Sequence, residues 1–134
     1  IGVRLVGSEM CIRDSLNRFI KAAQIGGVCD PRAASLCHYL CELTLQEYAF
    51  LKYSPSMLAA ASLRLALHAA GLPAWTATLE ATSGYSAEVL NECVSDVLLV
   101  YRKAESNSLQ AVREKYSHAK FLRVSLLSPP VEAP

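Results

Sequence analysis

Apolar residues recur at intervals of three and four along most of the chain, the spacing that lines one face of an α-helix. The first such run, Leu16, Phe19, Ile20 and Ala23, predicts a short helix stopped by Gly26-Gly27. Asp30-Pro31 then offers an N-cap side chain followed by a proline at the first helical position, where its missing N–H costs nothing. Ala33, Leu36, Cys37, Leu40, Leu43 and Thr44 give this second helix one apolar face, running to about Gln46.

Ser54-Pro55 repeats the cap-and-proline signal, and the run from Met57 to Leu67 that follows is apolar nearly all round. Such a helix belongs at the centre of a bundle, and its alanines let neighbours approach while Leu63 and Leu67 fill the space between axes. Gly71 ends it. Pro73 to Thr76 introduces a short helix closed by Gly84, and Ser86 caps a fifth that carries Val89, Leu90, Cys93, Val94, Val97, Leu98 and Tyr101. After the turn Ser106-Asn107-Ser108, the residues Leu109, Val112, Arg113 and Tyr116 predict a last short helix, and Ser128-Pro129-Pro130 ends regular structure. No segment alternates as a strand would, so the fold class is all-α.

Composition narrows the function. The 134 residues suit one domain whose core needs neither metal nor disulfide. Acids and bases nearly balance at a net charge of +1 and are scattered, so there is no charged block to hold nucleic acid or a membrane surface. The most apolar stretch, Met57 to Leu72, contains Arg64 and His68 and is shorter than the roughly 20 residues a membrane span requires. Cys11, Cys29, Cys37, Cys41 and Cys93 are an odd set with no secretory signal ahead of them, which predicts free thiols in a reducing compartment.

Candidate chemistry is sparse. Cys37 and Cys41 share a helical face with His38 beside them, but no second Cys/His pair completes a tetrahedral set, and small buried thiols account for Cys37, Cys41 and Cys93. His68, four residues after Arg64 on the polar stripe of the central helix, is placed at a solvent edge. Glu42 is a catalytic base only if an acid or nucleophile joins it, and is read instead as accepting structural hydrogen bonds from a neighbouring turn. Arg113-Glu114-Lys115 and Lys120 read as solvated helix surface, and Trp75, just after Pro73, as a structural residue at a helix entry. No residue is assigned to catalysis, to a cofactor or to a metal, and the chain is read as a non-enzyme.

Residues 1–15 are read apart from the rest. Leu5 to Asp14 resembles the translation of a transposase-based sequencing adapter, whose mosaic end reads ATG TGT ATA AGA GAC over Met10 to Asp14. On that reading the segment is unstructured and dispensable, the domain spans 16–130, and 131–134 is a tail.

The segments Tyr39 to Leu45 and Leu51 to Ser56, followed by the alanine-rich helix, resemble the C-terminal cyclin box of A- and B-type cyclins. The later run Arg113 to Tyr116, then Ala119-Lys120-Phe121 and Val124 to Pro130, is similar to the end of mitotic cyclins, A-type especially. The resemblance implies a five-helix bundle around its third helix, and a regulatory subunit that binds and activates a cyclin-dependent kinase. It also implies that this half gives structural support, while the N-terminal box holds most of the kinase-binding surface. Two rivals are a helical adaptor of another cyclin-fold group, such as the transcription-factor relatives, and a small helical metal protein. The scattered charge and the tail motif oppose the first, and the unassembled ligands oppose the second.

Overall fold

In the computed structural model, which describes the backbone of residues 2–134 and the side chains from Ile12 onward, six α-helices follow one another. They are α1 (Gly2–Ile25), α2 (Pro31–Leu45), α3 (Pro55–Ala69), α4 (Ala77–Ser83), α5 (Ala87–Lys103) and α6 (Ala111–Lys115). Short 3-10 turns lie at Tyr48–Lys52, Ala104–Ser106, Ala119–Phe121 and Val124–Leu126, and there is no strand among the described residues.

The helix starts are local chemistry. Asp30 accepts from the Ala33 N–H at 2.7 Å, Ser54 from Met57 at 3.2 Å, Thr76 from Leu79 at 3.2 Å and Ser86 from Val89 at 3.3 Å. Each satisfies an orphan donor of the first turn. The ends of α1 and α3 share one device: Gly27 and Gly71 adopt φ of 73° and 76°, and the next residue's N–H returns to the carbonyl five positions earlier, Val28 to Ala23 and Leu72 to Leu67. The left-handed residue that this closure requires is the one glycine supplies without strain.

Helix α3 is the axis of the molecule, packed against α1, α2 and α5. Ala59, Ala60, Ala61, Leu63, Leu65, Ala66 and Leu67 are all fully buried, so neighbours surround the helix on every side. Each such leucine contributes about 1.5–3 kcal/mol on leaving water. Cys37 and Leu40 of α2 and Leu90, Val94 and Val97 of α5 are buried in the same core.

Three expectations are corrected. Helix α1 runs through Ser15 without interruption, and Ile12 stands one turn before Leu16 on the same face as Phe19, Ile20 and Ala23 and is only 3% exposed. The expectation of an unstructured segment thus fails for Ile12 to Asp14, while the side chains of Leu5 to Cys11 lie outside the described residues. Val89, counted among the apolar residues of the fifth helix, is exposed, since it sits roughly 100° around the helix from Leu90 at the edge of the buried stripe. Leu109 is also exposed, as it precedes α6 rather than lying in it.

Candidate functional site

On α2, Ser35, His38 and Glu42 follow one another down one side and meet the segment after α6. Ser35 Oγ donates to the Phe121 carbonyl at 2.7 Å. Lys115 Nζ lies 3.1 Å from both oxygens of Glu42, and the Tyr116 hydroxyl donates to the same carboxylate. Tyr116 is itself clasped by aromatic rings, Tyr39 at 5.4 Å and Phe121 at 4.6 Å between centroids. Behind it, Ser125 Oγ donates to the Arg113 carbonyl at 2.7 Å.

This seam is where the structure gathers titratable groups, around a cavity of about 170 Å³ lined by Arg13, His38, Cys41, Glu42, Lys115 and Tyr116. Burial holds the His38 imidazole below its ordinary 6.5, with Lys115 and Arg13 acting in the same direction and Glu42 opposing them. Burial first, and the bond to Glu42 second, hold the Tyr116 proton far above the usual phenol range. The Glu42 carboxylate is engaged by an ammonium and a phenol at once, so its oxygens are committed to holding α2 against the following segment. Glu42 accepts structural bonds as expected, but its donors come from a segment 73 and 74 positions away. Lys115 is correspondingly an ion-pair partner rather than plain solvated surface.

Cys37, Cys41 and Cys93 are buried and, with the half-buried Cys29, free. Burial raises the Cys37 thiol well above its ordinary value of 9.0 and pushes Cys93 up to about 12. Thiols so held pack as small apolar side chains of the core. No group of three or more metal-ligating side chains is assembled among the described residues.

A larger cleft, about 350 Å³, opens where α2 ends and α3 begins, lined among others by Ile12, Leu45, Phe50, Leu51, Pro55 and Leu58. Its outer wall is fixed to α5: Tyr53 donates to Asp96, and Lys52 lies 3.5 Å from Glu92 and 3.7 Å from Asp96. Trp75, as expected, is structural, its indole N–H donating to the Tyr85 carbonyl at 2.9 Å. The surrounding turn, Tyr48–Lys52, was not foreseen, since a single 3-10 turn carries no helical period.

Arg64 departs from expectation. The sequence placed it with His68 on a polar stripe, yet Arg64 is 6% exposed, while His68 is half-buried. The guanidinium donates from Nη1 to the Ala87 carbonyl at 2.7 Å and to Asn91 Oδ1 at 2.9 Å, and from Nη2 to the Pro134 main-chain oxygen at 3.1 Å. A long basic residue inside an otherwise apolar helix was the signal available in the sequence.

The family model described as the cyclin C-terminal domain matches residues 14–130. The chain belongs to the cyclin family through this domain. Among curated cyclins, G2/mitotic-specific cyclin-B3 of Gallus gallus is 42% identical over 116 residues, 85% of this chain and 27% of that protein. G2/mitotic-specific cyclin-A of Hydra viridissima is 39% identical over 118 residues, 87% of this chain and 28% of its own length. Cyclin-A1 of Homo sapiens is 42% identical over 105 residues, 78% and 22% respectively. A- and B-type cyclins thus match about equally, and the chain spans between a fifth and a third of the length of these relatives. In cyclin terms, the domain match includes the α2 seam, the central α3 and the segment through Pro130.

Proposed function

We propose that this chain is the C-terminal half of a mitotic cyclin, a non-catalytic regulatory subunit that binds a cyclin-dependent kinase and activates it. The observation that carries the reading is the family match over residues 14–130, joined to relatives of both mitotic types at close to 40% identity. A non-enzymatic role is supported by the Glu42, Lys115 and Tyr116 cluster, whose groups are spent on holding α2 to the following segment. Residues 1–15 and 131–134 are read as lying outside the domain proper, although Ile12 reaches its core. The nucleus and cytoplasm are the proposed location, a reading supported by the free thiols Cys29, Cys37, Cys41 and Cys93.

Within the intact protein this half supports the fold, and the N-terminal box supplies most of the kinase contact. Because a ligand shifts an equilibrium only by its differential affinity for the two states, a peripheral contact alone cannot order a kinase active site. The test has two arms, both read by calorimetry and by activity on a peptide. The chain fused behind the N-terminal box of an A- or B-type cyclin should activate a cyclin-dependent kinase, and the chain alone should not. A fusion that folds without activating any such kinase contradicts the cyclin reading. Submicromolar binding by the chain alone would show that the kinase surface has been put in the wrong half.

A further inference from the structure

The chain carries two Ser-Pro pairs, and the fold treats their hydroxyls oppositely. Ser54 Oγ is committed at the start of α3, accepting from the Met57 N–H at 3.2 Å and lying 3.2 Å from the Tyr85 hydroxyl. Ser128 follows the last 3-10 turn in irregular backbone, is exposed, and makes no hydrogen bond among the described residues. Pro129 biases it toward extended backbone, the form in which a kinase receives a substrate chain.

Ser128 also belongs to the wall of a cavity of about 110 Å³, shared with Tyr39, Tyr101, Arg102, Glu105 and Arg113. The lining brings two guanidiniums together with one carboxylate, that of the exposed Glu105. Neither guanidinium is ion-paired among the described residues, and the bond from Arg102 to the Val131 carbonyl is long at 3.5 Å. Arg113 is half-buried, and its charge reaches the Tyr39 phenol, opposing the upward push of burial on that group.

Tyr101 gives an independent sign. It is only 3% exposed, and its buried hydroxyl has no partner. An orphaned buried hydroxyl is costly, and an acceptor placed in the cavity would satisfy it. A phosphate ester carries up to about two negative charges and three acceptor oxygens, a match for two guanidiniums and a phenol. The volume is ample for it, since a single water needs only about 10–15 Å³.

We propose that Ser128 is a phosphorylation site, modified by a proline-directed serine kinase, and that Arg102, Arg113 and Tyr101 receive the phosphate in the cavity beside it. In the transfer the Ser128 oxygen attacks the γ-phosphorus of ATP, the ester bond forms as the bond to ADP breaks, and the hydroxyl proton passes to the kinase's catalytic base. The clasp ties the segment after Val124–Leu126 to α5 and α6, so the modification tightens the fold. In this step the chain is a substrate, which is separate from the regulatory role proposed above.

The test uses the 134-residue chain, unmodified and with phosphoserine installed at Ser128 during synthesis. Phosphorus-31 NMR should place the second ionisation of the ester at about 5 rather than about 6, because the guanidiniums favour the dianion, and Arg102→Gln with Arg113→Gln should return it to about 6. The phosphorylated chain should melt about 5 °C higher than the unmodified one. Tyr101→Phe removes only the hydroxyl, so it should leave the unmodified chain as stable or more so and shrink the gain on phosphorylation. With an active proline-directed kinase and ATP, mass spectrometry should find phosphate on Ser128 and not on Ser54, and Pro129→Ala should stop the labelling. An unshifted ionisation with no gain in melting temperature would overturn the proposal. So would an equal gain from inorganic phosphate added to the unmodified chain, which would assign the cavity to a free anion. Label on Ser54 alone, or none on Ser128 while a peptide of residues 124–132 is labelled, would overturn it as well.

Discussion

The Tyr116 hydroxyl donates to the Glu42 carboxylate across 74 positions of sequence, joining α2 to the segment that follows α6. Tyr116→Phe keeps the ring against Tyr39 and Phe121 and removes the bond alone. A hydrogen bond to a charged group contributes about 1.5–3 kcal/mol, so urea denaturation should show a loss of that size with an unchanged slope. Tyr116→Ala should cost more, about 3–5 kcal/mol, because the ring is buried. Equal stability of wild type and Tyr116→Phe would mean the contact is not formed in solution.

Stability should fall at both ends of the pH range. On the alkaline side, Cys93 is raised from 9.0 to about 12, chiefly by burial. Above pH 9 the unfolded chain sheds this proton while the folded chain keeps it, so stability present below pH 9 is lost between 9 and about 12. On the acid side, burial lowers His38 below 6.5, so the unfolded chain takes up a proton first and stability declines as pH falls from 6.5. Urea midpoints across pH 5–10 for wild type, Cys93→Ala and His38→Gln, each compared with its own value near pH 7, check both limbs. The alkaline decline should be shallower in Cys93→Ala and the acid decline shallower in His38→Gln.

Ala60 and Ala61 are fully buried where α3 meets its neighbours. Leucine at either position should overpack the core and cost about 1–3 kcal/mol, whereas Ala111→Leu on an exposed site should stay within about 0.5 kcal/mol. Thermal melts of the three variants test this ranking, and unchanged melting for both buried sites would contradict the packing described.

Ile12→Ala should destabilise the chain by about 2–5 kcal/mol, the range for emptying a buried aliphatic site. Indifference to the substitution would return the stretch before Ser15 to the status of an unpacked tail. This is the sharpest point on which the sequence and the fold disagree. The adapter-like motif drew the boundary at Ser15, but helical period continues through it, and Ile12 uses the same face as Leu16.

What the sequence made legible was local: Asp30-Pro31, Ser54-Pro55, Thr76 and Ser86 each start a helix where their side chains cap it. Gly27, Gly71 and Gly84 each end one, because the closure needs a positive φ. What stayed hidden depends on the chain's return. Nothing near Ser35 announces Phe121, and nothing near Arg64 announces Pro134. The Leu122–Arg123 pair is equally silent, since both adopt φ near 60° without being glycine, a conformation imposed by the fold around them. The family resemblance reached further than the local signals because it carried the order of segments as well as their composition.

The central place of α3 also sets a timetable for synthesis. Its apolar surface is divided between α1 and α2, which leave the ribosome before it, and α5, which leaves after it. At roughly 5–20 residues per second, the residues from Ala69 to Lys103 take about 2–7 s to follow, and for that interval the nascent chain carries an alanine- and leucine-rich helix with one side uncovered. A chaperone that recognises apolar helical surface therefore has its opportunity in that window, and codon changes that slow translation between α3 and α5 should lower the soluble yield more than equal changes after Lys103.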